Sequence, residues 1–157
     1  MRSTVSRRWG FKGKPLTVFV QQGFKNFYVY SAVSVINGKS FDYIMPGVDT
    51  ACMNSYLEAF SKDLGKTKVL LYMDQAGWHK SKDLKRHKNI EIRYLPAYSP
   101  ELNPVERLWK HLKNETVHNM LFKSLVELEK SVINEFIKMT NRDFLDLCRC
   151  NYLYLFI

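Results

Sequence analysis

An almost uninterrupted apolar stretch, KVLLYM at residues 68–73, most constrains what this chain can fold into. A strand with one face in water alternates apolar and polar side chains, whereas a continuous apolar run is typical of a strand buried on both faces. Burial on both faces requires a layer above the sheet and a layer below it, which helices usually supply. The run therefore favours an α/β architecture, and it ends at a charged residue, Asp74.

Strand-like and helical patterns surround this run. Residues 26–36 and 40–45 are rich in aromatic and β-branched side chains, and the Asn37-Gly38 pair between them favours a two-residue hairpin turn. Residues 90–95 (IEIRYL) predict another strand. Helices are predicted at 50–64 with Asp49 or Thr50 as the cap and Gly65 as the end, at 80–88, from Pro104, at 124–139 and, as a last short helix, after Asn141 as its cap. This order predicts an α/β fold with a mixed sheet.

Charge and composition indicate the class of partner. The chain has 157 residues, 46% of them apolar, and no apolar run approaches the ~18 residues of a membrane span. Residues 1–41 contain seven basic side chains and no acid, whereas the remainder contains 17 basic and 15 acidic groups. We therefore expect a polyanion such as nucleic acid as partner, and no membrane. Three cysteines without regular spacing, and no signal peptide, favour a reducing intracellular setting.

Two carboxylates occupy positions suited to metal chemistry. Asp74 directly follows the apolar strand, and Glu106 falls in the first turn of the helix predicted after the next strand. A strand, a helix, a parallel strand and a helix start can bring both acids to the edge where α/β sheets bind ligands. Such oxygens suit Mg²⁺ or Mn²⁺. An Asp after a strand is, however, more often a cap or turn residue, and a Glu in a first turn can simply favour the helix dipole.

Longer motifs surround both acids. Residues 72–81 read YMDQAGWHKS, which resembles the second-acid motif of DDE transposases, where Asp-Asn ends a strand and a His follows five residues after the Asp. In this chain His79 matches that His, and Gln75 stands where the family prefers Asn. Gln75 keeps the amide but moves it by one methylene group.

The second motif is the more specific of the two. Residues 95–109 read LPAYSPELNPVERLW, which closely matches the third-acid motif of the mariner superfamily in its bacterial insertion-sequence branch. The match assigns the acid to Glu106 and not to Glu101. Residues 9–15 (WGFKGKP) resemble, more weakly, the segment before the hairpin in that branch.

The resemblance implies a ribonuclease H-like catalytic domain over residues 1–150, followed by an apolar tail at 151–157. It implies that Asp74 and Glu106 are catalytic residues and metal ligands, with Mg²⁺ or Mn²⁺ as the cofactor. The implied reaction cleaves the phosphodiester at a transposon end and joins the 3′-hydroxyl to target DNA. The complete transposase would act as a dimer in the bacterial cytoplasm, at the nucleoid when bound to DNA.

The first acid of such a triad has no counterpart here. It belongs on the first, central strand upstream of residues 9–15, yet no acid precedes Asp42, which lies on the returning strand of the hairpin. We therefore expect the domain to be truncated at its N-terminus, to lack that strand unless residues 16–21 partly replace it, and to be inactive alone. A decayed or truncated remnant and the downstream half of a frame-shifted pair are both open explanations.

Basic residues near the acids are candidate DNA contacts. The candidates are Arg7, Arg8, Lys12, Lys14, His79, Lys80, Lys82, Lys85 and Arg86. His79 can equally be a structural or capping residue. Tyr98 and Trp109 are expected to pack rather than stack on bases. The alternatives to a transposase are a non-catalytic DNA-binding or transposase-interacting remnant, and a metal-dependent nuclease or resolvase-like enzyme of the same fold.

Overall fold

The computed structural model describes residues 26–117 and 122–150. Its strands and α-helices follow in the order β1 (Tyr28–Val33), β2 (Ser40–Met45), α1 (Thr50–Leu64), β3 (Val69–Met73), β4 (Ile90–Tyr94), α2 (Val105–Leu112), α3 (Leu125–Lys138) and α4 (Asn141–Cys148). A 3₁₀ turn at Pro100–Leu102 precedes α2, and a π-helical turn at Lys113–Val117 follows it. The predictions for residues 1–25 and for the tail at 151–157 lie outside the described residues.

The strands form two pairs. β1 and β2 are antiparallel, with Tyr28 opposite Met45, whereas β3 and β4 are parallel, with Met73 opposite Tyr94. The predicted mixed α/β class is therefore confirmed. No strand within 26–117 or 122–150 joins the two pairs by hydrogen bonds. The lack of a first strand stays a prediction, because residues 1–25 are not described.

The hairpin turn is wider than the two residues predicted, since β1 ends at Val33 and β2 begins at Ser40. The Ser34 hydroxyl accepts hydrogen bonds from the N–H groups of Ile36 and Asn37, and the Ser34 carbonyl accepts one from Gly38. Gly38 has a φ of 70°, and a Cβ there would lie 1.8 Å from the carbonyl oxygen of Asn141. The glycine therefore ends a broad turn that lies close against α4.

Helix α1 covers both strand pairs on one side. The side chain of Asp49 accepts a hydrogen bond from the N–H of Cys52, which confirms the predicted cap, and Gly65 follows the last turn. The buried side chains of α1 are Met53, Tyr56, Leu57 and Phe60. They share one apolar cluster with Tyr30 and Met45 of the hairpin, with Ile90 of β4 and with Leu84 of the segment before it. One helix thereby joins the two pairs.

Helices α2, α3 and α4 pack on other apolar clusters. Leu128 and Val132 of α3 cluster with Phe27, Val117 and Phe122, and Val29 of β1 packs against them. Leu108 and Leu112 of α2 cluster with Phe144 and Cys148 of α4. Thr140, rather than the predicted Asn141, caps α4 in a reciprocal hydrogen-bonded box with Asp143. No helix of the described ranges is long and apolar enough to cross a membrane.

The helix predicted at residues 80–88 is wrong, because this segment consists of turns. Its only buried apolar side chain is Leu84, which cannot provide the repeated apolar face that a helix needs. Asn54 of α1 holds the segment instead, since its amide donates to the carbonyl of Asp83 and its Oδ1 accepts from the N–H of Lys85 at 2.8 Å.

Asp42, the first acid of the sequence, forms hydrogen bonds within the hairpin. Its carboxylate accepts hydrogen bonds from the hydroxyls of Ser31 at 2.5 Å and Ser40 at 2.6 Å. Burial raises the pKa of Asp42 above its ordinary value of 3.8, although these two hydrogen bonds lower it in part. The folded chain therefore disfavours the ionised form of this carboxyl group.

We predict that the free energy of unfolding of the Asp42→Asn variant, relative to that of the parent chain, is higher at neutral pH than at acid pH. Because the folded pKa is raised, the parent chain loses stability as pH rises from the unfolded value of 3.8 through the folded value. Because Asn does not ionise, the variant does not lose stability in this way as the pH rises. Denaturant unfolding at about pH 3 and about pH 7 measures both chains. A stability difference that does not change between the two pH values would contradict the raised pKa.

Candidate metal and nucleic-acid site

The parallel pair brings the ends of two strands together. The N–H of Leu95 donates to the carbonyl of Met73 at 2.9 Å, so the pairing continues to the last residue of β3. The side-chain amide of Gln75 donates to the carbonyl of Leu95, also at 2.9 Å. Asp74 therefore lies at the carboxyl edge of the parallel pair, as predicted, beside the point where the chain leaves β4.

The Asp74 carboxylate has one oxygen bound to the protein. Its Oδ1 accepts from the N–H of Ala76 at 3.0 Å and lies 2.6 Å from Nδ1 of His79. Within the described residues its Oδ2 has no hydrogen-bond or ion-pair partner. The Asp74 side chain is 57% exposed, whereas that of His79 is 14% exposed. The carboxylate is thus held on one side and open to solvent on the other.

Gln75 points toward β4. Besides its bond to Leu95, its Oε1 accepts from Nζ of Lys80 at 3.0 Å. Gln75, which stands where the family prefers Asn, therefore connects the end of β3 with the end of β4 and with Lys80 by hydrogen bonds. Lys80 lies next to His79 in the sequence, so one basic group stands close to the acid edge.

Glu106 lies in the first turn of α2, as the motif predicted. Asn103 prepares this turn, because its Oδ1 accepts from the N–H of Val105 and its carbonyl accepts from the N–H of Glu106. Leu108 and Leu112 are fully buried and fix α2 on the core. Glu106 itself is exposed, and its carboxylate makes no hydrogen bond or ion pair with the described residues.

The donor set partly fits a divalent cation. Asp74 and Glu106 offer exposed carboxylate oxygens, the ligand type that Mg²⁺ and Mn²⁺ prefer. No group of three or more His, Cys, Asp or Glu side chains across 26–117 and 122–150 could hold a metal ion. Burial raises the pKa of the Cys148 thiol to about 11, which disfavours the thiolate form that binds metals. Asp74 and Glu106 therefore remain two candidate acid ligands within the described residues.

Tyr98 and Trp109 have opposite environments. Trp109 packs partly buried against the α2–α4 cluster, as expected. The expectation that Tyr98 packs is wrong, because its side chain is fully exposed in the loop between β4 and α2, and its φ is 57°. A bulky residue rarely adopts a left-handed backbone. The motif pattern gave no signal of this conformation.

The predicted basic contacts divide into two groups. Lys80, Lys82, Lys85 and Arg86 are exposed on the turns that lead away from Asp74. Arg7, Arg8, Lys12 and Lys14 lie outside the described residues. Sequence reasoning missed Tyr94, whose hydroxyl donates to the carbonyl of His79 at 2.6 Å. Its place at the end of β4, opposite Met73, could have indicated a contact at this edge.

Comparison with known proteins assigns the family. A family model described as the DDE superfamily endonuclease matches residues 1–129. Because this match covers most of the chain, the protein belongs to the DDE superfamily endonucleases. The resemblance predicted from the two motifs is therefore confirmed.

Two curated relatives support this assignment. The chain is 36% identical over 97 residues to the uncharacterized protein y4pE/y4sA of Sinorhizobium fredii, and this match covers 61% of the chain and 72% of the relative. It is 27% identical over 129 residues to the insertion element IS630 uncharacterized 39 kDa protein of Shigella sonnei. That match covers 79% of the chain but 38% of the relative, so the chain spans well under half of the Shigella protein.

Two solved structures share the fold. They are the crystal structures of the Mos1 strand transfer complex and of the Mos1 mariner paired end complex with Mn. Each superimposes with a TM-score of 0.68 at 16% sequence identity and covers 93% of this chain. The chain spans 47% and 48% of the two Mos1 chains. This chain therefore shares its α/β fold with about half of each Mos1 chain.

We predict that alanine substitutions separate the roles of the two aromatic residues. Trp109→Ala should lower the free energy of unfolding by about 2–3 kcal/mol, because it removes a half-buried side chain from a packed cluster. Tyr98→Ala should change it by less than about 0.5 kcal/mol, because the ring is fully exposed among the residues that the structure describes. Denaturant unfolding measures both. Equal losses in the two variants would contradict the exposed position of Tyr98.

Proposed function

We propose that this chain is the catalytic domain of a DNA transposase that cleaves and joins strands at transposon ends with a divalent metal ion. The single observation that carries the proposal is the Asp74 carboxylate at the carboxyl edge of the parallel pair, with Oδ1 bound to the protein and Oδ2 free of described partners. Membership of the DDE superfamily endonucleases connects this acid with Glu106.

Asp74 and Glu106 are the residues that would hold the cation, Mg²⁺ or Mn²⁺. When bound, the metal would activate a water or a 3′-hydroxyl and stabilise the leaving oxygen of a phosphodiester. Ala76 and His79 hold the Asp74 carboxylate in place. Lys80, tied to Gln75, adds positive charge beside the acids, where a DNA phosphate would lie.

The domain spans residues 1–150 in this proposal, and it has low activity alone. Residues 1–41 contain no carboxylate, and the first acid, Asp42, is engaged with two serine hydroxyls of the hairpin. Two acids hold a cation less firmly than three. A further carboxylate from outside this sequence would complete the site.

DNA is the proposed partner of both the acid edge and the basic surface. The exposed basic side chains on residues 80–88 carry no ion pair with any described residue. Exposed cations beside the proposed cleavage site favour contact with the phosphate backbone. We further propose that the complete transposase acts as a dimer in the bacterial cytoplasm.

A second candidate function is non-catalytic binding to DNA or to a complete transposase. Its supporting observation is the acid-free, basic N-terminal sequence combined with only two site carboxylates. The two functions differ in their metal requirement, because a binding module would keep its DNA affinity without any cation at Asp74.

We predict that the isolated chain binds Mn²⁺ through both acids. Asp74→Asn and Glu106→Gln should each weaken Mn²⁺ binding by at least about tenfold, because each removes a charged ligand. Electron paramagnetic resonance of free Mn²⁺ in titrations measures the affinity. Glu101→Gln is the matched control, since Glu101 is an exposed acid of the same motif in the preceding turn.

One outcome would count against the catalytic proposal, and another against the inference that the chain has low activity alone. Equal weakening by Glu101→Gln would mean that the cation is held by general negative charge. In parallel, we expect little or no cleavage of transposon-end DNA by the unmodified chain with Mg²⁺ or Mn²⁺. Robust cleavage that Asp74→Ala abolishes would contradict the inference that the chain needs a further acid.

We predict that the basic turns contact DNA. The double variant Lys82→Glu, Lys85→Glu should weaken binding at low salt by at least about tenfold and reduce the slope of log affinity against log salt by about 2. Lys66→Glu, Lys68→Glu makes the same charge change before β3, at the end opposite Asp74, and should affect binding less. Gel-shift titrations at several salt concentrations measure both. Equal effects, or binding that is independent of salt, would contradict this interface.

A further inference from the structure

His79 makes the closest polar contact of the Asp74 carboxylate. Its Nδ1 lies 2.6 Å from Oδ1 of Asp74 and 3.2 Å from the backbone carbonyl oxygen of the same residue. Both neighbours of Nδ1 are acceptors, so this nitrogen must carry the proton and donate it. The other ring nitrogen, Nε2, has no hydrogen-bond partner among the described residues.

The position of the imidazole ring is set independently of any cation. The N–H of His79 donates to the carbonyl of Ala76 at 2.9 Å, and the hydroxyl of Tyr94 donates to the carbonyl of His79 at 2.6 Å. The Trp78 ring meets the imidazole edge to face, with centroids 5.7 Å apart. These contacts hold the His79 backbone, and from that position Nδ1 donates to the Asp74 carboxylate.

We propose that His79 is a positioning residue that occupies Oδ1 of Asp74 and thereby presents Oδ2 to the divalent cation. The proposal rests on the proposed function of Asp74 as a metal ligand. The N–H of Ala76 also donates to Oδ1, so two donors converge on one oxygen and leave the other for the metal. A carboxylate restrained in this way loses less freedom on binding a cation, and donors behind metal ligands commonly act so.

Two substitutions separate this role from direct ligation. In Asn the side-chain amide nitrogen stands close to the position of Nδ1, whereas in Gln the amide stands close to the position of Nε2. His79→Asn should therefore keep the hydrogen bond to Asp74, and His79→Gln should lose it. If Nε2 were itself a metal ligand, the order of the two variants would be reversed.

The first measurement needs no metal. Nitrogen-15 spectra of the histidine rings in the metal-free chain, at a pH where His79 is neutral, report which ring nitrogen carries the proton. His79→Gln identifies the signals of this residue. We expect the proton on Nδ1 in the parent chain and its redistribution toward Nε2 in Asp74→Ala, which removes the side-chain acceptor. A proton on Nε2 in the parent chain, or no change in Asp74→Ala, would overturn the proposal whatever the function of the site.

The second measurement is Mn²⁺ affinity by electron paramagnetic resonance. His79→Asn should bind within about threefold of the parent chain, and His79→Gln should bind about tenfold more weakly. Unfolding curves of both variants separate this effect from a loss of stability. Equal affinities in both variants, or weaker binding by Asn than by Gln, would overturn the proposal. If the parent chain bound no Mn²⁺, the proposed function would fail, and the proton position would still decide whether His79 restrains Asp74.

Discussion

The parallel pairing of β3 with β4 is the constraint on which the site depends. Because Met73 is opposite Tyr94, both strands end at the same edge of the pair. The hydrogen bond from the N–H of Leu95 to the carbonyl of Met73 continues the pairing to the strand ends. Asp74, the contact of Gln75 with Leu95 and the contact of Tyr94 with His79 all follow from that register. A shift of the pairing register of β3 and β4 by one residue would turn these side chains to the other face of the sheet.

Helix α1 gives this edge its support. Its buried side chains share one apolar cluster with both strand pairs, which no described strand joins by hydrogen bonds. The amide of Asn54 on the same helix fixes the turns that carry the basic residues. Packing on one helix therefore locates both the acid edge and the positive surface beside it, and so connects the core to the proposed chemistry.

Much of this arrangement could be predicted from the sequence. The apolar run before Asp74 indicated a buried strand, the Asp49 and Gly65 signals bounded α1, and the long motif around Glu106 identified the family. These signals are local, because caps, apolar periodicity and motif spacing each act within a few residues. They also gave the two proposed metal ligands.

The remaining features depend on contacts between distant parts of the chain. Residues 80–88 form turns because Asn54, far away in sequence, bonds to their backbone. Gly38 widens the hairpin turn where α4 approaches it, and Tyr98 is exposed on a left-handed backbone. The hydrogen bond between His79 and Asp74 needs the ring position that Tyr94 sets from another strand. No local pattern encodes these contacts.

The account centres on a cation held by Asp74 and Glu106. Anomalous diffraction from crystals of the chain soaked in Mn²⁺ tests this most directly, because it locates the ion relative to each side chain. We expect a peak about 2.0–2.3 Å from Oδ2 of Asp74 and bound also by a carboxylate oxygen of Glu106. A peak on Nε2 of His79 without Asp74, or one bound to neither carboxylate, would contradict the account.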